Sequence, residues 1–95
     1  MAGNIKINPE VASGVARSFN SQGQVVDAVL KALDPQVMNN VGSGKPGWEG
    51  RQADEFLHAW SNEFKPALTK LADALLNGHI VINKTVAAYQ SLDGL

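Results

Sequence analysis

The chain has 95 residues, of which 44% are hydrophobic and 18% charged, and its formal net charge is −1. This size fits one domain and excludes a large enclosed core, and the composition is too apolar for a disordered chain. The sequence has no run of lysine or arginine, so we expect no nucleic-acid partner. It also lacks cysteine, which excludes disulfides and thiolate metal sites.

The first residues, MAGNIKINPE, contain one lysine and no apolar stretch of the length that a signal peptide needs. Elsewhere no segment is apolar over the roughly 20 residues required to span a bilayer. We therefore expect neither a cleaved secretion signal nor stable insertion into a membrane.

The first predicted helix begins at Asn8, Pro9 and Glu10, which supply an N-cap, a proline at the first helical position and an acid in the first turn. Hydrophobic residues then recur at steps of three and four. This spacing is typical of a heptad seam, and it has one polar member, Gln22. The seam consists of Ala12, Val15, Phe19, Gln22, Val26, Val29 and Leu33.

The first helix should end or kink at Asp34-Pro35, because proline removes a backbone donor and disfavours helical geometry in the residue before it. Allowing one further turn, we place helix one at about residues 9–38. The next segment, NNVGSGKPGWEG, contains four glycines, a proline and two asparagines and cannot continue a helix. We therefore predict a turn over about residues 39–50.

A second helix is predicted over about residues 51–90, followed by a short tail over residues 91–95. Its apolar stripe consists of Leu57, Trp60, Phe64, Leu68, Leu71, Leu75, His79, Ile82, Val86 and Tyr89. Pro66 should bend this helix over residues 62–66, because an interior proline lacks the backbone donor. Gly78 weakens its C-terminal third by up to about 1 kcal/mol relative to alanine.

Two long helices joined by a turn form an all-α hairpin, and both helices carry apolar residues beside the main seam. The flanking residues are Val11, Val25 and Leu30 on the first helix and Phe56, Ala67, Ala74 and Ala88 on the second. Because each stripe is wider than one neighbour can cover, a four-helix bundle made from two hairpins is predicted; scattered surface residues are the alternative. Its hairpin and dimer core is predicted to contain Val15, Phe19, Val26, Val29, Leu33, Leu57, Trp60, Phe64, Leu68, Leu71 and Leu75.

Three fragments imitate chemical sites, but each is better explained structurally. The segment GSGK lacks the first glycine and the Ser/Thr of a phosphate-binding loop, and no strand precedes it. Glu55 and His58 have a spacing seen in di-iron bundles, but helical phase turns both away from the seam. His79 lies on the stripe without a residue that would complete a triad. We therefore predict no enzyme, no metal and no cofactor.

Several features together resemble a known family. They are an opening Pro-Glu, a central Trp48-Glu49-Gly50, aromatic residues at Phe56 and Trp60, and a C-terminal Tyr89-Gln90-Ser91-Leu92-Asp93. On a two-helix chain of this length they resemble the WXG-motif family of small type VII secretion substrates, which includes the early secreted antigens. The resemblance covers the whole chain, although Pro35, Pro66 and Gly78 are not family requirements.

The resemblance implies hairpins that pair antiparallel into dimers and are exported folded, without a cleaved signal, from the bacterial cytoplasm to the outside. It implies that Trp48 and Gly50 of one chain and Tyr89 and Asp93 of the other form a composite export signal. An apolar cap on the end of the bundle is the alternative role of Trp48. Leu92 and Leu95 would suit docking of the tail onto an FtsK/SpoIIIE-type export ATPase.

The sequence leaves alternatives for the identity of the partner and for the function. The presence of both motifs in one chain favours a homodimer, and the alternative is a heterodimer with a related small protein of the same family. An adaptor or chaperone that pairs with a larger co-secreted toxin is the rival function. An effector that acts on host membranes would need an amphipathic face rich in Lys and Arg, of which the sequence offers little.

Overall fold

A computed structural model of the chain describes residues 6–93, except for the side chains of residues 92 and 93. The described part forms α1 (Pro9–Asn40), α2 (Arg51–Ala59) and α3 (Lys65–Asp93). A π-helical turn (Trp60–Phe64) joins α2 to α3, and these three segments make one continuous arm that returns along α1. The predicted all-α hairpin is confirmed, whereas the dimeric bundle stays a prediction.

Helix α1 begins as the sequence predicts. The Asn8 side-chain oxygen accepts hydrogen bonds from the backbone N–H groups of Glu10 and Val11 at 3.1 and 3.2 Å, which satisfies two donors of the first turn. The helix continues through Pro35 and ends at Asn40, two residues beyond the predicted end. Since Pro35 is exposed, water can solvate the carbonyl that loses its helical donor there.

The π turn lies immediately before Pro66, within the region where the sequence predicts a bend. The backbone N–H of Lys65 donates to the carbonyl of Trp60, which is a span of five residues instead of four. In a regular α-helix the proline ring would crowd the carbonyl of Asn62. A wider turn before Pro66 gives the ring room while the helix goes on.

The hairpin interface is built largely from small residues. On α1 the buried residues recur every seven positions, at Ala16, Gly23 and Leu30. On the arm they are Ala53, Trp60, Ala72 and Val86. Small residues let the two helices approach closely.

Two glycines show how close the approach is. A Cβ atom built at Gly23 would lie 2.8 Å from Cγ of Leu76, and one at Gly78 would lie 2.8 Å from Cδ2 of Phe19. Gly78, which the sequence identifies only as a weak point of the helix, therefore makes room for an aromatic ring.

The predicted core residues divide into three groups in the single hairpin. Trp60 is buried, and the half-buried residues are Val26, Leu57, Leu68 and Leu75. The exposed ones are Val15, Phe19, Val29, Leu33, Phe64 and Leu71. Those six side chains are exposed enough to contact a second hairpin, although the Phe19 ring also packs on Gly78 within the first.

The hairpin is a rod of 66 × 23 × 14 Å, which is one layer of helices thick. Its radius of gyration is 20.3 Å, whereas a compact domain of this length has about 12 Å. Its accessible surface is 6819 Å², against about 5,300 Å² for a compact monomer of the same mass. The single chain therefore exposes far more surface than a compact monomer does.

Candidate functional site

Trp48 is held at the end of the rod by backbone hydrogen bonds to the last residue of α1. The N–H groups of Trp48 and Gly47 both donate to the carbonyl of Asn40, at 2.8 and 3.0 Å. The Trp48 carbonyl accepts from Gly42 at 2.8 Å, so that Val41 and Trp48 form an isolated bridge. A Cβ atom at Gly47 would lie 2.7 Å from the Asn40 oxygen, which explains the glycine there.

Gly50 begins the arm in a conformation that side chains rarely adopt. Its φ and ψ are 121° and −179°, a region used almost only by glycine. No neighbouring atom lies within 4 Å of a Cβ built there, so the requirement is conformational rather than one of space. The Gly50 carbonyl accepts from the N–H of Asp54 at 3.0 Å, which starts α2.

An aromatic ladder, defined as Trp48, Phe56 and Phe64, extends from the turn along the arm. Trp48 is 43% exposed, and its ring centroid lies 5.7 Å from that of Phe56. The rings of Phe56 and Phe64 follow at 6.4 Å, and both are also exposed. Such separations are typical of favourable aromatic contacts, so the indole has a fixed place in an accessible apolar surface.

Trp60, the other aromatic residue of the resemblance, points the opposite way and is buried. Its Nε1–H donates to Oδ1 of Asp34 at 2.9 Å, and Nζ of Lys65 lies 3.0 Å from Oδ2 of the same carboxylate. These hydrogen bonds from Trp60 and Lys65 hold the pKa of Asp34 below its ordinary value of 3.8, against the opposing effect of partial burial. We call this group the Asp34 clamp; it joins the end of α1 to the π turn.

An apolar face runs along one side of the rod. On α1 its exposed residues are Val11, Val15, Phe19, Val25, Val29 and Leu33. At about 100° per residue, their mean direction lies roughly a quarter turn from that of the buried residues Ala16, Gly23 and Leu30. This face is therefore separate from the hairpin interface.

The arm contributes to the same face. Phe64, Leu71 and Gly78 follow one another at steps of seven and so share a side of the helix. The Phe19 ring of α1 lies against Gly78, which puts the exposed stripes of both helices on one side of the hairpin. The aromatic ladder and Leu71 thus continue the apolar face from α1 onto the arm.

Tyr89 lies at the open end of the rod, far from Trp48. It is half-buried and borders a shallow notch of about 940 Å³. The notch is lined by Lys6, Ile7, Asn8, Pro9, Glu10, Tyr89 and Gln90. The side chains of Leu92 and Asp93 and all of Leu95 lie outside the described residues, so that only Tyr89 of the predicted tail signal has a described side chain.

Of the side chains that imitate chemical sites, Glu55 and His58 have ordinary partners, whereas His79 differs from them. Glu55 pairs with Arg51 at 3.3 Å, and Asn62 lies 3.2 Å from Nδ1 of His58. Nδ1 of His79 is buried without a hydrogen-bond partner among the described residues. Within residues 6–93 no group of three or more histidine, aspartate or glutamate residues could hold a metal ion.

The described helices offer no candidate for a membrane span, since none is both long and apolar enough. In comparison with known proteins, the family described as WXG100, "Proteins of 100 residues with WXG", matches residues 4–94. No curated protein and no solved structure matches the chain.

Proposed function

The chain belongs to the WXG100 family, and we propose that it is a non-enzymatic substrate of a type VII secretion system that leaves the cell as a folded dimer. Members of this family are small secreted helical proteins and are not known as enzymes. The observation that carries the proposal is the exposed Trp48, which the family motif requires and which the turn holds at the tip of the rod.

Two observations support the dimer. The rod exposes about 1,500 Å² more than a compact monomer of its mass, which exceeds the roughly 800 Å² that each partner of a standard protein interface buries. Most of the exposed apolar residues also lie on one side instead of being scattered. A second copy that covered this face would complete a four-helix bundle.

The separation of Trp48 from Tyr89 supports an antiparallel arrangement of the two copies. In one chain these residues lie at opposite ends of a rod 66 Å long, so they cannot be recognised together. In an antiparallel dimer the turn of one copy lies beside the open end of the other. Trp48 and Gly50 would then act with the partner's Tyr89 and Asp93 as one export signal.

We further propose that the tail of this signal binds the export ATPase. Helix α3 continues to Asp93 and carries Tyr89 and Leu92 near its end, three residues apart and so on neighbouring positions of one helix side. With Leu95 they would give an apolar strip suited to a groove on the ATPase.

Export of tail variants tests the proposal. Tyr89→Ala, or deletion of residues 90–95, should abolish appearance of the protein in the culture medium and binding to the ATPase. The dimer should persist, as measured by light scattering. The matched control is Lys84→Ala on the exposed side of the same helix, which should be exported normally. Unchanged export of the tail variants would refute the signal assignment.

A further inference from the structure

Gln22 lies in the middle of the apolar face of α1 and is its polar member. It is exposed, and helical phase puts it in line with Val15 and Val29, seven residues away on either side. Two positions along, Gln24 donates to Oδ1 of Asn20 at 3.3 Å, whereas the Gln22 amide has no hydrogen-bond partner among the described residues. In the single hairpin, no contact within the described residues explains why a polar side chain interrupts the apolar seam here.

The six exposed apolar residues of the α1 face are arranged symmetrically about Gln22, whereas the half-buried Val26 has Ser18 as its counterpart. Val11 and Leu33 are each eleven residues from it, and Phe19 and Val25 are each three residues from it. When α1 is placed antiparallel to a copy of itself with residue 22 at the centre, each of these apolar residues meets another apolar residue. Gln22 then meets Gln22 of the second copy.

The arm fits the same centre. Gly23 of α1 lies against Leu76, so an axis that passes at residue 22 crosses the arm close to Leu76. Leu71 and Val81, both exposed, are each five residues from Leu76. The axis that centres α1 on Gln22 therefore brings Leu71 of one arm level with Val81 of the other, although the two residues point about 80° apart around the helix.

We propose that Gln22 lies on the two-fold axis of an antiparallel homodimer and pairs there with Gln22 of the second copy. The inference rests on the dimer of the proposed function and names the contact that sets its register. In a two-fold interface a residue on the axis meets itself. A primary amide has both donors and an acceptor, so two identical amides can satisfy each other.

A competing register shows what this contact selects against. With the axis at residue 24, Val15 would meet Leu33 and Phe19 would meet Val29, so the apolar match is nearly as good. Gln22 would then face Val26, which buries an unpaired amide at a cost in free energy. A single polar residue in an apolar seam specifies register in this way, at some cost in stability.

Cysteine cross-linking reads the register directly, because the chain has no cysteine of its own. Gln22→Cys should give a covalent dimer on oxidation, since disulfides require Cα atoms within about 7 Å. Gln24→Cys is the matched control and should stay uncrosslinked. The competing register is tested with a mixture of Gln22→Cys and Val26→Cys chains. The proposal would be overturned in favour of that register if disulfides formed only between unlike chains and none formed between two Gln22→Cys chains.

Opposite charges at the same position give a second, independent reading. Gln22→Lys and Gln22→Glu should each raise the dissociation constant of the homodimer by about tenfold, since like charges would meet on the axis. Mixed in equal amounts, they should form heterodimers above the statistical fraction, as measured by native mass spectrometry. The same pair of changes at Gln24 should mix statistically. Statistical mixing at Gln22 would overturn the self-pairing.

The outcomes separate this inference from the proposed function. If light scattering finds the unmodified chain monomeric at every concentration, the homodimer and the Gln22 contact both fail, whereas secretion as a heterodimer is still tested by the export of the tail variants. If the chain is dimeric but neither cysteine nor charge variants report contact at residue 22, the dimer stands and the Gln22 contact is refuted.

Discussion

Asp34 makes two contacts that join the C-terminal part of α1 to the π turn of the arm. The sequence identifies it only as the residue before a proline. Its partners Trp60 and Lys65 are 26 and 31 positions away, and no local pattern predicts which residues of the arm lie opposite the end of α1. By contrast, Gly50 follows a local rule. Its φ of 121° lies in the region that favours glycine, so the residue itself explains the local backbone.

The Asp34 clamp should make stability depend on pH. Because the pKa of Asp34 is lowered in the folded chain, the clamp stabilises fully above the ordinary value of 3.8 and loses its effect as pH falls through the lower folded pKa. Asp34→Asn should therefore lower Tm at pH 7 and reduce the loss of Tm between neutral and acid pH. Differential scanning calorimetry at pH 7 and pH 3 measures both.

A matched control for the clamp is Asp27→Asn, which removes an exposed pair with Lys31 on the same helix. Exposed pairs of this kind are screened by water and contribute little, so its effect on Tm should be small. Equal effects of the two substitutions would refute a special role for Asp34.

At the scale of elements, local signals predict the two helical arms and the turn, whereas the packing face is harder to derive. The cap at Asn8 and the glycines of the turn act on nearby backbone, so their effect is visible in the sequence. Large apolar residues suggest one seam on each helix, but the structure has two adjacent faces. Alanine and glycine form much of the hairpin face, and these residues stand out in no hydrophobic pattern.

Pro66 illustrates an intermediate case. Its missing donor predicts a disturbance of the second helix, and the π turn Trp60–Phe64 lies there. The sequence does not reveal whether the helix bends, breaks or widens, since that depends on packing against α1. Asp34 accepts hydrogen bonds from Trp60 at the start of this turn and from Lys65 just after its end, and these contacts stabilise the widened turn.

Two glycine substitutions on α1 test the close approach of the helices. Gly23→Ala should destabilise the hairpin by about 1–3 kcal/mol through overpacking, because its Cβ would lie 2.8 Å from Cγ of Leu76. Gly14→Ala should instead stabilise it by about 0.5–1 kcal/mol, the gain in helix propensity. Its Cβ meets only the tip of Arg17, at 3.7 Å. Urea unfolding compares the two, and a stabilising Gly23→Ala would contradict the packing.

The whole molecule is a rod with one apolar side, and this shape follows from the lengths of its two arms. Neither helix has enough neighbours within the chain to cover its apolar surface. The width of the apolar stripes predicts a fold that needs a partner, but the sequence pattern does not give the direction in which the partner lies. On α1 the apolar face lies about a quarter turn around the helix from the buried hairpin interface, and this angle gives that direction.

Two exposed residues test which side of the rod binds the second copy. Val29 and Met38 are each 44% exposed on α1, but Val29 is on the apolar face and Met38 is not. Val29→Lys should convert the dimer to monomers of 10.1 kDa in light scattering, whereas Met38→Lys should leave it dimeric. Dissociation by Met38→Lys alone would assign the interface to the opposite side.

Complementation between two inactive variants tests the central claim most directly, because it asks whether the export signal is assembled from two chains. Trp48→Ala and Tyr89→Ala should each fail to reach the culture medium when expressed alone. Co-expressed, they form mixed dimers in which one end has an intact Trp48 beside the partner's intact Tyr89, and export should return. Continued failure of the co-expressed pair, with mixed dimers present in the cytoplasm, would contradict a composite signal.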